Sequence, residues 1–90
     1  MNSPDPGQPI SYMMLVPGMP VFSSDGIRLG EVDEVGAEPE IDIFDGIGFK
    51  IADGRRYADA AHVGSLFERR VELAIDAEAA MALPDSRRED

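Results

Sequence analysis

Ile41-Asp42-Ile43-Phe44-Asp45-Gly46-Ile47-Gly48-Phe49-Lys50-Ile51 is the stretch that decides the fold. Ile41, Ile43, Ile47, Phe49 and Ile51 share one parity, which only Asp45 interrupts. Asp42, Gly46, Gly48 and Lys50 hold the other parity, with Phe44 as its exception. Successive side chains of a strand point to opposite faces, so this spacing predicts a long strand with one buried face. Gly46 and Gly48 allow it to bend sharply, as a strand must at the corner of a small barrel.

The same period of two continues on both sides. Val71, Leu73 and Ile75 alternate with Arg70, Glu72 and Ala74, which predicts a second strand. Leu29 to Ala37 reads as a third, but Val32 and Val35 lie on opposite parities. A slip of one residue turns every side chain over, so a β-bulge near Asp33-Glu34 is the simpler account. Ser24-Asp25-Gly26 separates Val21-Phe22 from Ile27-Arg28-Leu29, and Asp53-Gly54 separates Phe49-Lys50-Ile51 from Arg56-Tyr57-Ala58. Asp-Gly supplies the positive φ of tight hairpin turns. A short helix is expected from Ala77 to Leu83, capped by Asp76, with Glu78 in its first turn and Pro84 as its stop. Five or six short strands with one short C-terminal helix make an all-β domain, and a small β-barrel is expected because closure removes exposed edges.

Length and composition bound the rest. Ninety residues make one small domain, with about 64% of its surface buried on folding. Residues 1–12 are expected to form a flexible arm, because prolines and a glycine in Met1 to Pro9 disfavour sheet and helix alike. The domain proper is expected over 13–83, and 84–90 reads as a polar tail. There is no cysteine, which excludes disulfides and thiolate metal sites. No apolar run approaches the ~20 residues of a membrane span. The segment ahead of Met13-Met14-Leu15-Val16 has Asp5 but no lysine or arginine, unlike a secretory signal. A soluble, cytoplasmic domain is the expectation.

The net charge of −10 runs against nucleic-acid binding, which needs uncompensated cations. Arg55-Arg56 and Arg69-Arg70 are expected to face water or to pair with carboxylates. His62 is the only histidine, in a turn, and no Gly-x-Ser-x-Gly elbow exists, so no catalytic residues are assigned and no enzyme is expected. Glu31, Asp33, Glu34, Glu38, Glu40, Asp42 and Asp45 form an acidic run with no basic residue between Leu29 and Phe49. Hard cations want six to eight oxygens, and Glu38-Pro39-Glu40 is too extended to close such a loop, so no metal or cofactor is expected. The run reads as a solvated edge, or as a docking face for a basic partner through Glu31, Asp33, Glu34 and Glu38. Reversing Asp33 and Glu34 to lysine is then expected to leave the fold intact and weaken capture of that partner. Met13, Met14, Leu15, Val16 and Met19 precede the first hairpin. They are read either as a first strand or barrel plug, or as part of a homodimer interface, since methionine adapts to irregular surfaces and small domains gain burial by pairing.

The stretch Pro17-Gly18-Met19-Pro20-Val21-Phe22-Ser23-Ser24-Asp25-Gly26-Ile27-Arg28-Leu29-Gly30-Glu31-Val32 resembles the opening of PRC-barrel domains. Ala61-His62-Val63-Gly64-Ser65-Leu66-Phe67-Glu68-Arg69-Arg70-Val71-Glu72-Leu73 is similar to their closing turn and strand. Together these put the likeness over Val16 to Leu83, with Tyr57-Ala58-Asp59-Ala60 standing where many members have a Val-Pro-Ala step. The resemblance implies an SH3-like barrel, with Gly18, Gly26 and Gly30 in structural positions beside the turn residues Asp25, Asp53 and Gly54. It also implies protein–protein contact without a shared catalytic constellation. Related barrels belong to the photosynthetic reaction-centre H subunit and to a ribosome maturation factor. A stand-alone, non-catalytic interaction module that docks or scaffolds another protein, as a homodimer, is the expected function. The alternatives are a ribosome-assembly or RNA-linked factor, and a barrel that binds a small ligand or metal.

Overall fold

The computed structural model describes residues 5–86; the remaining parts of the expected arm and tail, 1–4 and 87–90, lie outside the described residues. Six strands form one sheet: β1 (Pro20–Phe22), β2 (Arg28–Glu38), β3 (Ile43–Ile51), β4 (Gly54–Asp59), β5 (Val63–Leu66) and β6 (Val71–Leu73). Among the described residues a single short α-helix, α1 (Ala77–Met81), follows them. The strand order is β4-β3-β2-β1-β6-β5, antiparallel throughout except for the parallel pair β1 and β6. The chain is thus mainly β, as its alternation predicts.

The sheet curls in a roughly barrel-like way but does not close. β4 and β5 are its two edges, joined by the 3-10 turn Ala60–His62 without pairing to each other. Polar backbone at an open edge needs partners. At β5 they come from the proline-rich segment that was expected to stay out of the sheet. The Ile10 amide donates to the Leu66 carbonyl at 3.0 Å, Glu68 donates to Gln8 at 3.0 Å, and Pro9 forms a bridge with Phe67. At β4 the Tyr57 amide donates to the Pro84 carbonyl at 2.7 Å, so the start of the expected tail also takes part.

Bulges explain where the alternation succeeds and where it fails. In β2, Val32 opposes Phe49 and Glu34 opposes Gly48, which leaves Asp33 as the extra residue where a bulge was expected. In β3, Gly46 opposes Gly36 but Phe44 opposes Ala37, so Asp45 is a second extra residue. That bulge reverses the parity. Ile47 and Phe49 point into the core, while Phe44 takes the half-buried inner position and Ile43 turns outward. Ile41 never joins the strand. Pro39–Ile41 forms a 3-10 turn that Asp42 ends in a left-handed conformation, φ 57°, which short polar side chains tolerate. The one long buried face expected from Ile41 to Ile51 therefore begins only at Ile47.

Val21, Val32, Ile47, Phe49 and Val71, each no more than 1% exposed, form the centre of the core. Leu15, Met19, Ala58, Leu73 and Ala80 complete it. The helix is two residues shorter than expected. Asp76 Oδ1 accepts from the Ala79 amide at 2.9 Å, and the chain leaves helical pairing through Ala82 and Leu83 before Pro84. The helix seats Ala80 on the core, and no helix among the described residues is long and apolar enough to cross a membrane.

Candidate functional site

The acidic strand carries its carboxylates in three different environments. Asp33, thrown out by the bulge, faces Arg55 of β4 through a two-point fork: Nη2 to Oδ1 at 2.6 Å and Nε to Oδ2 at 3.2 Å. The same Nη2 reaches Glu34 Oε1 at 3.1 Å, and Arg55 Nη1 donates to the Asp85 carbonyl at 3.0 Å. Gly48 makes this possible, because a Cβ there would run into the guanidinium. The Arg55 hydrogen bond holds the Asp33 carboxyl below the usual carboxylate range against the opposing effect of desolvation. The same contact raises Arg55. Asp33 is therefore committed to a fork inside the domain, while one guanidinium serves two carboxylates and half-exposed Glu34 keeps part of the pair's negative charge at the surface.

Glu31 lies 3.8 Å from Arg28, with both side chains half exposed, which makes a weak surface pair. Glu38 is exposed at the end of β2 and makes no side-chain cap. The four residues expected to form a docking face are thus divided, and the charge reversal expected to leave the fold intact would set two ammonium groups beside Arg55. Removing the partner tests the fork directly. Arg55→Gln is expected to lower stability by about 1 kcal/mol at pH 7, the scale of a partly exposed charge-assisted pair. Because the folded pKa of Asp33 is depressed, its contribution is present above the unfolded value near ~3.9 and is lost as pH falls through the lower folded value. Urea titrations at pH 7 and below about pH 4 check this: the difference between the wild type and the variant narrows in acid. A difference independent of pH would contradict it.

The turn residues separate by cause. Gly26, at φ 84°, completes the first hairpin, where Ser23 Oγ donates to the Asp25 carboxylate and accepts from the Ile27 amide at 3.1 Å. Asp25 Oδ1 also accepts from the Ala77 amide at 3.2 Å, which ties the hairpin to the start of α1. The Ser23 hydroxyl is the main cause that holds the Asp25 carboxyl low. Gly18 turns the chain into β1 at φ 94°. Gly30 is not in a turn at all; it sits within β2 opposite Val21, where its missing Cβ admits the Lys50 carbonyl. In the second hairpin the loop is Ala52-Asp53, and Gly54 already pairs with Ile51 as the first residue of β4.

The methionine segment divides as well. It forms no strand: Tyr12–Met14 is a 3-10 turn capped by Ser11, Leu15 and Met19 enter the core, and Met13, Met14 and Val16 stay exposed. Tyr12 stacks on Phe44 with ring centroids 5.4 Å apart, and its hydroxyl donates to Asp42 Oδ1 at 2.9 Å. Desolvation, and then the Asp42 contact, raise the Tyr12 hydroxyl. These contacts bring Met13 and Met14, 63% and 64% exposed, to the end of the sheet that carries Ile41 and Ile43, 60% and 43% exposed. Sequence reasoning missed this meeting, and Phe44, the exception to its parity, was the available signal.

Around His62 there is little chemistry. Its Nδ1 lies 3.2 Å from Asp59 Oδ1, and Asp59 itself caps the 3-10 turn through the Ala61 amide. Among the described residues no three His, Cys, Asp or Glu side chains gather into a metal-holding group. In comparison with known proteins, the chain matches no family model and no curated protein.

Proposed function

We propose that this chain is a non-catalytic protein-interaction domain of the PRC-barrel kind, acting in the cytoplasm, which docks through its apolar end and not through the acidic strand. One observation carries the reading: Met13, Met14, Ile41 and Ile43 are large and exposed, and the Tyr12–Phe44 stack with the Tyr12–Asp42 hydrogen bond ties the methionine segment to the start of β3. Exposed apolar clusters with a polar rim mark interaction sites. The rim here is Glu38, Glu40 and Asp42, all exposed, so the partner that fits is an apolar segment flanked by basic residues.

A homodimer is the second reading, favoured by the exposed methionine pair, although self-pairing would bring like charges of a −10 chain together. Light scattering coupled to size exclusion at low and high salt separates the two. A monomer that binds a synthetic amphipathic lysine-leucine peptide supports docking, provided that Met13→Glu with Ile41→Glu abolishes binding while the circular dichroism is unchanged. A dimer that persists at high salt and becomes monomeric in the same double variant supports self-association. A dimer untouched by the double variant, or a monomer that does not bind the peptide, removes the apolar end as the docking surface.

A further inference from the structure

On the outer face of β1, opposite to buried Val21, lies a cavity of about 160 Å³ lined by Asp5, Pro6, Pro20, Phe22, Arg28, Arg69 and Arg70. β1 is flanked by β2 and β6, so Phe22 pairs with Arg28 on one side and with Glu72 on the other. The Arg70 guanidinium sits over the Phe22 ring, 4.9 Å from its centroid. The docked N-terminal segment closes a third side, where Arg69 Nη1 donates to the Asp5 carbonyl at 3.1 Å. Three of the six basic residues among the described residues therefore converge on one cavity of a strongly acidic chain.

These arginines are not consumed as Arg55 is. Arg28 has only the 3.8 Å contact with exposed Glu31. Arg70 Nη2 pairs with Glu72 at 2.7 Å, but its Nε is buried and meets no acceptor among the described residues. Guanidinium donors match the geometry of a carboxylate, and Pro6, Pro20 and Phe22 offer an apolar bed beside them. Charge decides between anions. Against the three guanidiniums the lining sets only Asp5, and Glu72 pairs with Arg70 from outside it, which leaves about one positive charge beside the weak 3.8 Å Arg28–Glu31 contact and suits one negative charge better than the two of a phosphate.

From this arrangement we infer that the cavity on β1 binds a small monocarboxylate that carries an apolar or aromatic body. The inference is independent of the apolar end and of what docks there. Benzoate is the probe, followed by amide chemical shifts on the full chain, with benzamide and inorganic phosphate as the comparison arms. Saturable benzoate shifts at Phe22, Arg28, Arg69 and Arg70 are expected, with benzamide and phosphate at least about tenfold weaker, or ~1.4 kcal/mol. Arg69→Gln and Arg28→Gln change exposed side chains and are each expected to weaken benzoate about tenfold while the spectrum stays dispersed. Absence of saturable shifts, shifts centred on Met13 and Ile41, benzamide or phosphate binding as well as benzoate, or wild-type affinity in both variants would each overturn it.

Discussion

Phe49→Ala is expected to lower the unfolding free energy by about 3–5 kcal/mol, the range for emptying a buried aromatic site. Phe49 has no solvent exposure and is the largest of the fully buried side chains. It lies on the interior strand β3, opposite Val32 of β2 and Arg56 of β4, so its ring is braced across three strands. A closed neighbourhood of this kind cannot collapse to fill the void, which places the loss in the upper part of the range. A domain of this length has roughly 5–13 kcal/mol in total, so the variant should be marginal at room temperature. Urea titration followed by far-ultraviolet circular dichroism measures it, with Ile27→Ala as the exposed control expected within about 0.5 kcal/mol. A Phe49→Ala loss below about 1 kcal/mol would mean that the core is not packed as described.

The second large effect belongs to Gly30. A Cβ built at this position overlaps the Lys50 carbonyl oxygen, which is backbone and cannot rotate away. Gly30→Ala must therefore push β2 and β3 apart next to the Glu31–Lys50 pair. Overpacking costs about 1–3 kcal/mol, and a backbone obstacle puts this case at the top of that range. Gly18→Ala is the informative contrast. Nothing lies within 4 Å of a Cβ there, so only the positive φ of 94° opposes it and about 1 kcal/mol is expected. Hydrogen exchange separates the mechanisms: Gly30→Ala should lose protection along β2 and β3, and Gly18→Ala should not. Equal costs with unchanged exchange would sink the close-approach account.

Much of the fold was legible in the chain because it rests on local rules. The alternation of Val71 and Leu73, the helix cap at Asp76 and the turn at Ser24-Asp25-Gly26 each act over a few residues, and each stands where the pattern puts it. The bulge at Asp33 was legible too, because Val32 and Val35 could not otherwise share a face. The bulge at Asp45 was not. An acidic residue in a run of isoleucines reads as an interruption of the pattern and not as an inserted residue, so Ile41 and Ile43 were assigned to the wrong side.

The candidate site was less legible for the same physical reason. Seven carboxylates in one run look like one charged face, but Arg55 lies on a different strand and only the β3–β4 hairpin returns it to Asp33 and Glu34. The methionine segment looks like one apolar unit, yet the turn at Tyr12–Met14 sends Leu15 inward and Met13 and Met14 outward.

By itself the sequence determined the class of the fold, the positions of most strands and the capped helix, because period, turn chemistry and capping are properties of neighbouring residues. Only the tertiary structure decided that the sheet stays open, with both edges met by the chain's own terminal segments. It alone decided that Asp33 and Glu34 share one guanidinium while Met13, Met14, Ile41 and Ile43 stay exposed. Those outcomes depend on pairings between residues 20 or more positions apart, and strand register, which one inserted residue reverses, sets which side chains meet.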